Sequence, residues 1–358
     1  MMDNVLSEIQ NKMKKGAENT VFPGAVYAIL YKGKLIIDVV GNKSLLPTLE
    51  GNKLDTIYDL ASLTKVIVTN FLIGKLVEEG TIKLTDPVRK YIPEFKHEDI
   101  TVVDLLTHSS GLPANINWMN VKTKDDYLEL IFNVDKKEKR HSKAIYSDIG
   151  FIILGLLIEK VANQKLDTLA NNLIFKKLNM TDTTYNPINI DRCAPTEKEG
   201  DIYIKGIVHD KKARLFDGVA GHAGVFSTVF DLVKYAKMIL DEGVYKGNQI
   251  ISKEIINLWY KPIIQDSKGR YRTIAWIKGT GSDVVNPISK KVIYHTGFTG
   301  NRMLIDKDNE LAIILLSNRV HPTRDNNKLK IFWPELVSLI YEKLIINKVG
   351  DEVCEKIN

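Results

Sequence analysis

Ser62-Leu63-Thr64-Lys65-Val66-Ile67-Val68-Thr69-Asn70-Phe71-Leu72-Ile73-Gly74-Lys75-Leu76-Val77 reads as one helix that is apolar nearly all the way round. That pattern belongs to a helix buried in a protein interior. Its first turn carries a serine and a lysine three residues apart, a spacing that puts both side chains on one helix face within reach of each other. A serine hydroxyl is a weak nucleophile until a base takes its proton. A lysine amine serves as that base when burial or neighbouring charge lowers its pKa toward the working pH. Ser62 and Lys65 therefore form a compact nucleophile-and-base pair at the mouth of a buried helix, which Gly80 ends.

Outward from this helix the pattern is that of strands at both ends of the chain and helices between. Residues 24–31 and 34–40 alternate and run apolar, with Lys32-Gly33 as a two-residue turn, so they pair antiparallel. Residues 295–306 and 310–317 pair in the same way through Lys307-Asp308-Asn309. Leu311 to Leu316 is apolar throughout, as a central strand covered on both faces would be. A short amphipathic helix is expected over 3–15, with Val5, Ile9 and Met13 on one side and Gly16 as its stop. A closing helix is expected over 331–346. The fold class is thus α/β (α+β): an antiparallel sheet flanked by helices. Residues 1–80 and 204–358 would form a discontinuous sheet domain, and 81–203 an inserted all-α domain. Ligand sites favour clefts between such units.

Two further motifs complete the chemistry. Tyr146-Ser147-Asp148 sits on a loop between a basic stretch and the apolar run beginning at Gly150. A tyrosine hydroxyl can relay a proton, and a polar residue two positions on can bond a substrate or the lysine. Taken alone, the tripeptide also fits a packing tyrosine beside a helix-capping aspartate. His295-Thr296-Gly297 closes a strand and leads into Phe298-Thr299-Gly300, where glycines let a substrate lie against the backbone. Taken alone, it also fits a hairpin turn with an incidental histidine.

In this order, Ser-x-x-Lys, Tyr-x-Asp and His-Thr-Gly resemble the pattern of the serine β-lactamase and penicillin-binding protein family, nearest its class C-like branch. Leu105 to Pro113, Gly221 to Ser227 and Leu315 to Arg319 also look like that family. The resemblance spans most of the chain. It implies Ser62 as nucleophile, Lys65 as its base and Tyr146 as a second proton-transfer group toward the leaving group. It implies Asp148 at the cleft rim, and His295, Thr296 and Gly297 against the substrate's polar end. The backbone amides of Ser62 and Phe298 would hold the oxyanion. Two positions depart from the strictest pattern. Asp148 stands where the family often has asparagine, and an ionised carboxylate would raise the Lys65 pKa. His295 stands where many β-lactamases have lysine, and a neutral imidazole attracts a carboxylate less.

Composition narrows the function classes. The chain has 358 residues, 44% hydrophobic and 26% charged, with a net charge of +6 spread along its length. Lysine runs such as Lys136-Lys137-Glu138-Lys139-Arg140 and Lys211-Lys212 read as solvated loops, and no basic–aromatic interleaving points to nucleic acid. Cys193 and Cys354 carry no C-x-x-C spacing, and the seven histidines show no paired-ligand spacing. Neither metal nor cofactor is expected. His222, in a glycine-rich loop, reads as loop packing ahead of substrate contact. The N-terminal residues have neither a basic nor an apolar signal region, so a cytoplasmic location is expected. The run 151–158 is too short to span a bilayer.

Three readings follow. The first is a hydrolase of D-amino-acid peptides or β-lactam-like amides working through an acyl-serine. The second is a carboxylesterase using the same residues on small esters. The third is a non-turnover sensor of cell-wall fragments or β-lactams. The partner in each is a small molecule or peptide.

Overall fold

The computed structural model describes residues 2–279 and 289–347; Cys354 lies outside them. Helix α1 (Met2–Glu18) buries Val5, Ile9 and Met13 as its periodicity requires. It continues through Gly16 rather than stopping there. Gly16 is a packing position, since a Cβ would come within 2.8 Å of the Phe22 ring.

Strands β1 (Gly24–Tyr31) and β2 (Lys34–Ser44) form the first hairpin. Lys32 and Gly33 both have positive φ, at 45° and 77°, the conformation whose twist suits a two-residue turn. The chain's later strands are β3 (Val292–Thr296), β4 (Arg302–Asp306) and β5 (Leu311–Ser317). β5 pairs antiparallel with β1, Ala25 opposite Ser317 and Tyr31 opposite Leu311. The central order is therefore β3-β4-β5-β1-β2 within a nine-stranded sheet whose remaining strands are two-residue pieces at the edges. The strand expected over 295–306 is two strands. His295 and Thr296 close β3, and the Gly297 amide bonds the Asn301 carbonyl at 2.8 Å, turning the chain before β4.

Residues alternate across β1, β4 and β5 with both faces covered. Val26, Ala28, Met303, Ile305, Ile314 and Leu316 share a core with α2 (Asn70–Glu78), α3 (Asp148–Ala162) and α4 (Val229–Leu240). Ala25, Tyr27, Ile29, Leu304, Ile313 and Leu315 pack instead on α1 and on Phe332, Trp333, Leu336 and Ile340 of α5 (Leu329–Tyr341). The closing helix thus begins slightly earlier than the sequence suggests and ends in a π turn over Glu342–Ile346.

Residues 81–203, expected to be all-α, hold helices joined by long loops, and they also contain short strands. Thr184–Tyr185 pairs with Val225–Ser227, which pairs in turn with Tyr58–Asp59. This small sheet joins the helical segment to the chain just before Ser62. Among the described residues no helix is long and apolar enough to cross a membrane.

Candidate active site

Ser62 stands at the end of a strap leaving Tyr58–Asp59. The Asp59 carboxylate accepts the Ala61 amide at 2.8 Å, and Ala61 adopts φ +46°, the left-handed turn that aims the next residue into the helix. Thr299 and Asn301 donate side-chain hydrogen bonds to the Asp59 carbonyl at 2.7 and 2.6 Å. The strap is thereby fixed to the β3–β4 turn. Past Ser62 the helix widens, the Asn70 amide reaching back to the Lys65 carbonyl across a π turn over Lys65–Thr69. Such widening recurs at functional sites. Ser62 itself is half-exposed.

Lys65 is fully buried. Its ammonium donates to Ser62 Oγ at 3.0 Å, to Asp148 Oδ1 at 2.8 Å and to the His222 carbonyl at 3.1 Å. All three of its donors are engaged. Burial alone would lower the Lys65 pKa and make it a ready base. The Asp148 carboxylate and the Tyr146 hydroxyl outweigh burial and raise it above the ordinary lysine value. Lys65 is thus held as an ammonium at neutral pH, the consequence expected of an aspartate at position 148.

Asp148 opens α3 and accepts a second cation. Lys212 Nζ lies 2.5 Å from Asp148 Oδ2 and 3.7 Å from Asp210 Oδ2. Burial works to raise the Asp148 pKa, but Lys65, His222 and Lys212 together hold it well below the usual carboxylate range. Asp210 caps the short helix Lys211–Arg214, accepting the Lys212 and Ala213 amides. It also accepts a hydrogen bond from His222 Nε2 at 3.0 Å. Asp148, Asp210 and His222 bring three donor atoms within 4.8 Å, a spacing that would suit a divalent cation. Both carboxylates already face ammonium groups, whose charge opposes a metal there. The set is a hydrogen-bonded charge network.

Tyr146 is flanked by rings and a guanidinium. Its ring lies 4.6 Å from that of His108 and 6.3 Å from that of His295, with Lys65 Nζ and the Arg272 guanidinium 5.0 and 5.4 Å from its centroid. His108 Nδ1 accepts the Ser147 amide at 3.1 Å, which places the proton of a neutral ring on Nε2. His295 Nδ1 faces the Thr296 carbonyl at 3.1 Å and donates to it, leaving Nε2 as an acceptor. Burial, then the Arg272 and Lys65 cations, push the His108 pKa well below its ordinary value. Burial, Lys65 and Arg272 do the same for His295. Both imidazoles are neutral at working pH.

Phe298 projects from the turn after β3 and is 47% exposed. It is pinned rather than loose. His209 stacks on it at 5.6 Å, and the Arg319 and Arg324 guanidinium groups stand 4.7 and 5.6 Å from its centroid. Arg324 and His209 are themselves tied to Glu197. The residue forms a fixed aromatic shelf beside the His295-Thr296-Gly297 strand end.

Residues 9–336 match the sequence family described as Beta-lactamase. The chain belongs to the Beta-lactamase family. An Escherichia coli (strain K12) protein named "Putative D-alanyl-D-alanine carboxypeptidase" is 32% identical over 314 residues, covering 76% of this chain and 71% of that protein. The N-acetylmuramyl-L-alanine amidase of Bacillus subtilis is 29% identical over 349 residues, covering 84% of this chain and 78% of the amidase. Among solved structures, a class C β-lactamase from Rhodobacter sphaeroides superposes with a TM-score of 0.75 at 19% identity, covering 94% of this chain and 99% of the other. At that identity the likeness is one of fold: the β-lactamase and penicillin-binding protein arrangement of antiparallel sheet and helices.

Within this Beta-lactamase-family fold the three motifs converge. Ser62, Lys65, Tyr146 and Asp148 form one contact cluster, and His295 joins it through the Tyr146 ring. Gly297 and Phe298 reach it through the strap, since the same turn is bonded to Asp59. His222 contributes a carbonyl to Lys65 and a ring to Asp210, so its place is in packing and charge. Sequence reasoning alone does not find Lys212, Asp210, His108 or Arg272; it reads Lys211-Lys212 as a solvated loop, whereas the Lys212 side chain is 17% exposed and faces Asp148 and Asp210. One signal points to the first: a carboxylate beside Lys65 calls for a second cation. His108 lies inside the family-like segment Leu105 to Pro113 but carries no motif of its own.

Proposed function

We propose that the chain is a serine hydrolase that cleaves amide bonds of D-amino-acid peptides or β-lactam-like compounds through an acyl-serine. The observation that carries this reading is the 3.0 Å contact between Lys65 Nζ and Ser62 Oγ at the open end of a buried helix. In its unprotonated form Lys65 takes the Ser62 proton while Oγ attacks the carbonyl carbon. The amides of Ser62 and Phe298 hold the oxyanion. Tyr146 passes a proton to the departing amine. Water, deprotonated in the same way, attacks the acyl group and regenerates Ser62. Arg272, His108 and His295 hold the Tyr146 ring in place.

The names of the Escherichia coli and Bacillus subtilis relatives, "Putative D-alanyl-D-alanine carboxypeptidase" and "N-acetylmuramyl-L-alanine amidase", support an amide substrate that contains alanine. A carboxylesterase is the second reading, favoured by His295, which burial keeps neutral and which brings no charge for a substrate carboxylate. A non-turnover sensor is favoured by the raised Lys65 pKa.

The test is intact-mass spectrometry of the wild-type protein and Ser62→Ala, with a fluorescent penicillin and with p-nitrophenyl acetate. The amide reading expects a penicillin adduct on Ser62 that is absent from the variant. Rapid ester turnover without an adduct moves the assignment to an esterase. A stable adduct that never turns over supports the sensor. Labelling by neither overturns Ser62 as nucleophile.

A further inference from the structure

Asp148 gives one carboxylate oxygen to each of two lysines, Oδ1 to Lys65 at 2.8 Å and Oδ2 to Lys212 at 2.5 Å. We infer that Lys212 is a positioning residue that divides the Asp148 charge, so that proton release from Lys65 is easier than it would be beside an undivided carboxylate. The inference rests on Ser62 and Lys65 acting as nucleophile and base.

The charges around Lys65 come from every element packed on it. Asp148 faces it from α3 and Tyr146 from the loop before α3. Lys212 and Asp210 lie at the short helix Lys211–Arg214, and His222 on the glycine-rich loop. Arg272 stands across the Tyr146 ring, with the two neutral histidines beside it. When Lys65 is charged, Lys65, Asp148, Lys212 and Asp210 sum to zero. When Lys65 gives its proton to solvent, the four carry one negative charge. Without Lys212 the same step would take the remaining three from one negative charge to two. The second ammonium therefore makes deprotonation of Lys65 easier.

Lys212 is built for this constant role. Its side chain is 17% exposed, and Asp210 lies on its other side. Burial alone would lower its pKa, but Asp148 and then Asp210 raise it further than burial lowers it. Lys212 is therefore charged at neutral pH. At a separation of roughly 5–6 Å and an effective dielectric of ~20, one ammonium moves the midpoint of the other by about two pH units.

Lys65 titration is read directly in protein labelled at lysine Cε, its resonance identified by loss in Lys65→Arg. It is compared with the pH profile of kcat/KM on p-nitrophenyl acetate. In Lys212→Met the Lys65 midpoint is expected to rise by about one pH unit or more, with the rising limb of the profile following it. At a fixed pH below both midpoints, the rate falls about tenfold for each pH unit by which the midpoint rises. In Asp148→Asn/Lys212→Met the midpoint falls below that of wild type and the rate at neutral pH recovers. An unchanged Lys65 midpoint in Lys212→Met overturns the inference. A uniform loss of rate with no displacement of the midpoint also overturns it and makes Lys212 a substrate contact. A midpoint that moves while the profile stays put upholds the role of Lys212 and instead overturns Lys65 as the base.

Discussion

Gly297 lies against the Leu60 carbonyl so closely that a Cβ at that position would stand 2.4 Å from the oxygen. Backbone meets backbone there, and neither side has a flexible end that can move away. The contact sets the distance between the end of β3 and the strap carrying Ser62. Gly297→Ala is expected to cost about 1–3 kcal/mol and to lower kcat/KM on p-nitrophenyl acetate at least tenfold. Gly51→Ala, where a Cβ meets nothing within 4 Å, is expected to leave the rate alone. Urea titration and ester hydrolysis measured on both variants check this.

Activity should climb with pH. Lys65 carries a pKa above the ordinary lysine value of 10.5, so its base form is the minor form at neutral pH. That fraction grows about tenfold per pH unit below the pKa. A plot of log kcat/KM between pH 6 and 9 should rise with a slope near one. A flat line would remove Lys65 as the proton acceptor.

His108 accepts the Ser147 amide and packs on the Tyr146 ring. His108→Leu keeps the bulk and removes the acceptor. A buried amide left unpaired costs about 1–3 kcal/mol. With the Tyr146 loop released, kcat should fall on the order of tenfold with a smaller change in KM. His108→Asn tolerates the +60° φ at this position and should recover part of kcat. Steady-state kinetics on the three proteins give the comparison.

Acid should weaken the fold before most carboxylates titrate. His108 and His295 have folded pKa values well below their ordinary value of 6.5. In that window the unfolded chain binds protons that the folded chain refuses. The stability they contribute is complete above pH 6.5 and is lost as pH falls toward the folded values, about 1.4 kcal/mol per pH unit for each histidine. The urea midpoint should drop between pH 7 and 5, and His108→Asn with His295→Gln should flatten that drop.

Ile314 sits in β5 opposite Ala28 and Met303 and is 1% exposed. Ile314→Ala should cost about 2–5 kcal/mol. Leu35, 47% exposed beside the first hairpin turn, should cost less than about 0.5 kcal/mol when changed to alanine. Equilibrium unfolding of the two variants provides the contrast.

Much of this site was legible because its parts are local. Ser62 and Lys65 are joined by helical spacing, and Tyr146 and Asp148 by one loop and one helix start. The apolar run of β5 announced its central position. The charge on Asp148 could be read from its identity, and its direction of effect on Lys65 followed. Lys212 lies in a four-residue helix with no pattern of its own, and Asp210 caps it. Arg272 comes from a two-residue strand. Such short elements carry no periodicity, so their side chains are placed by tertiary contacts alone. The π turn was equally hidden, since its residues are as apolar as the helix around them.

The pairing of β1 with β5 has a consequence in time. Strand β1 leaves the ribosome long before β5, its inner neighbour in the sheet. Until then β1 presents an open hydrogen-bonding edge and an uncovered apolar face, a state prone to association with other chains. The hooks that Thr299 and Asn301 place on Asp59 also arrive late. A nascent chain carries Ser62 long before it can aim it, and the strap is held in place only once Thr299 and Asn301 have been made.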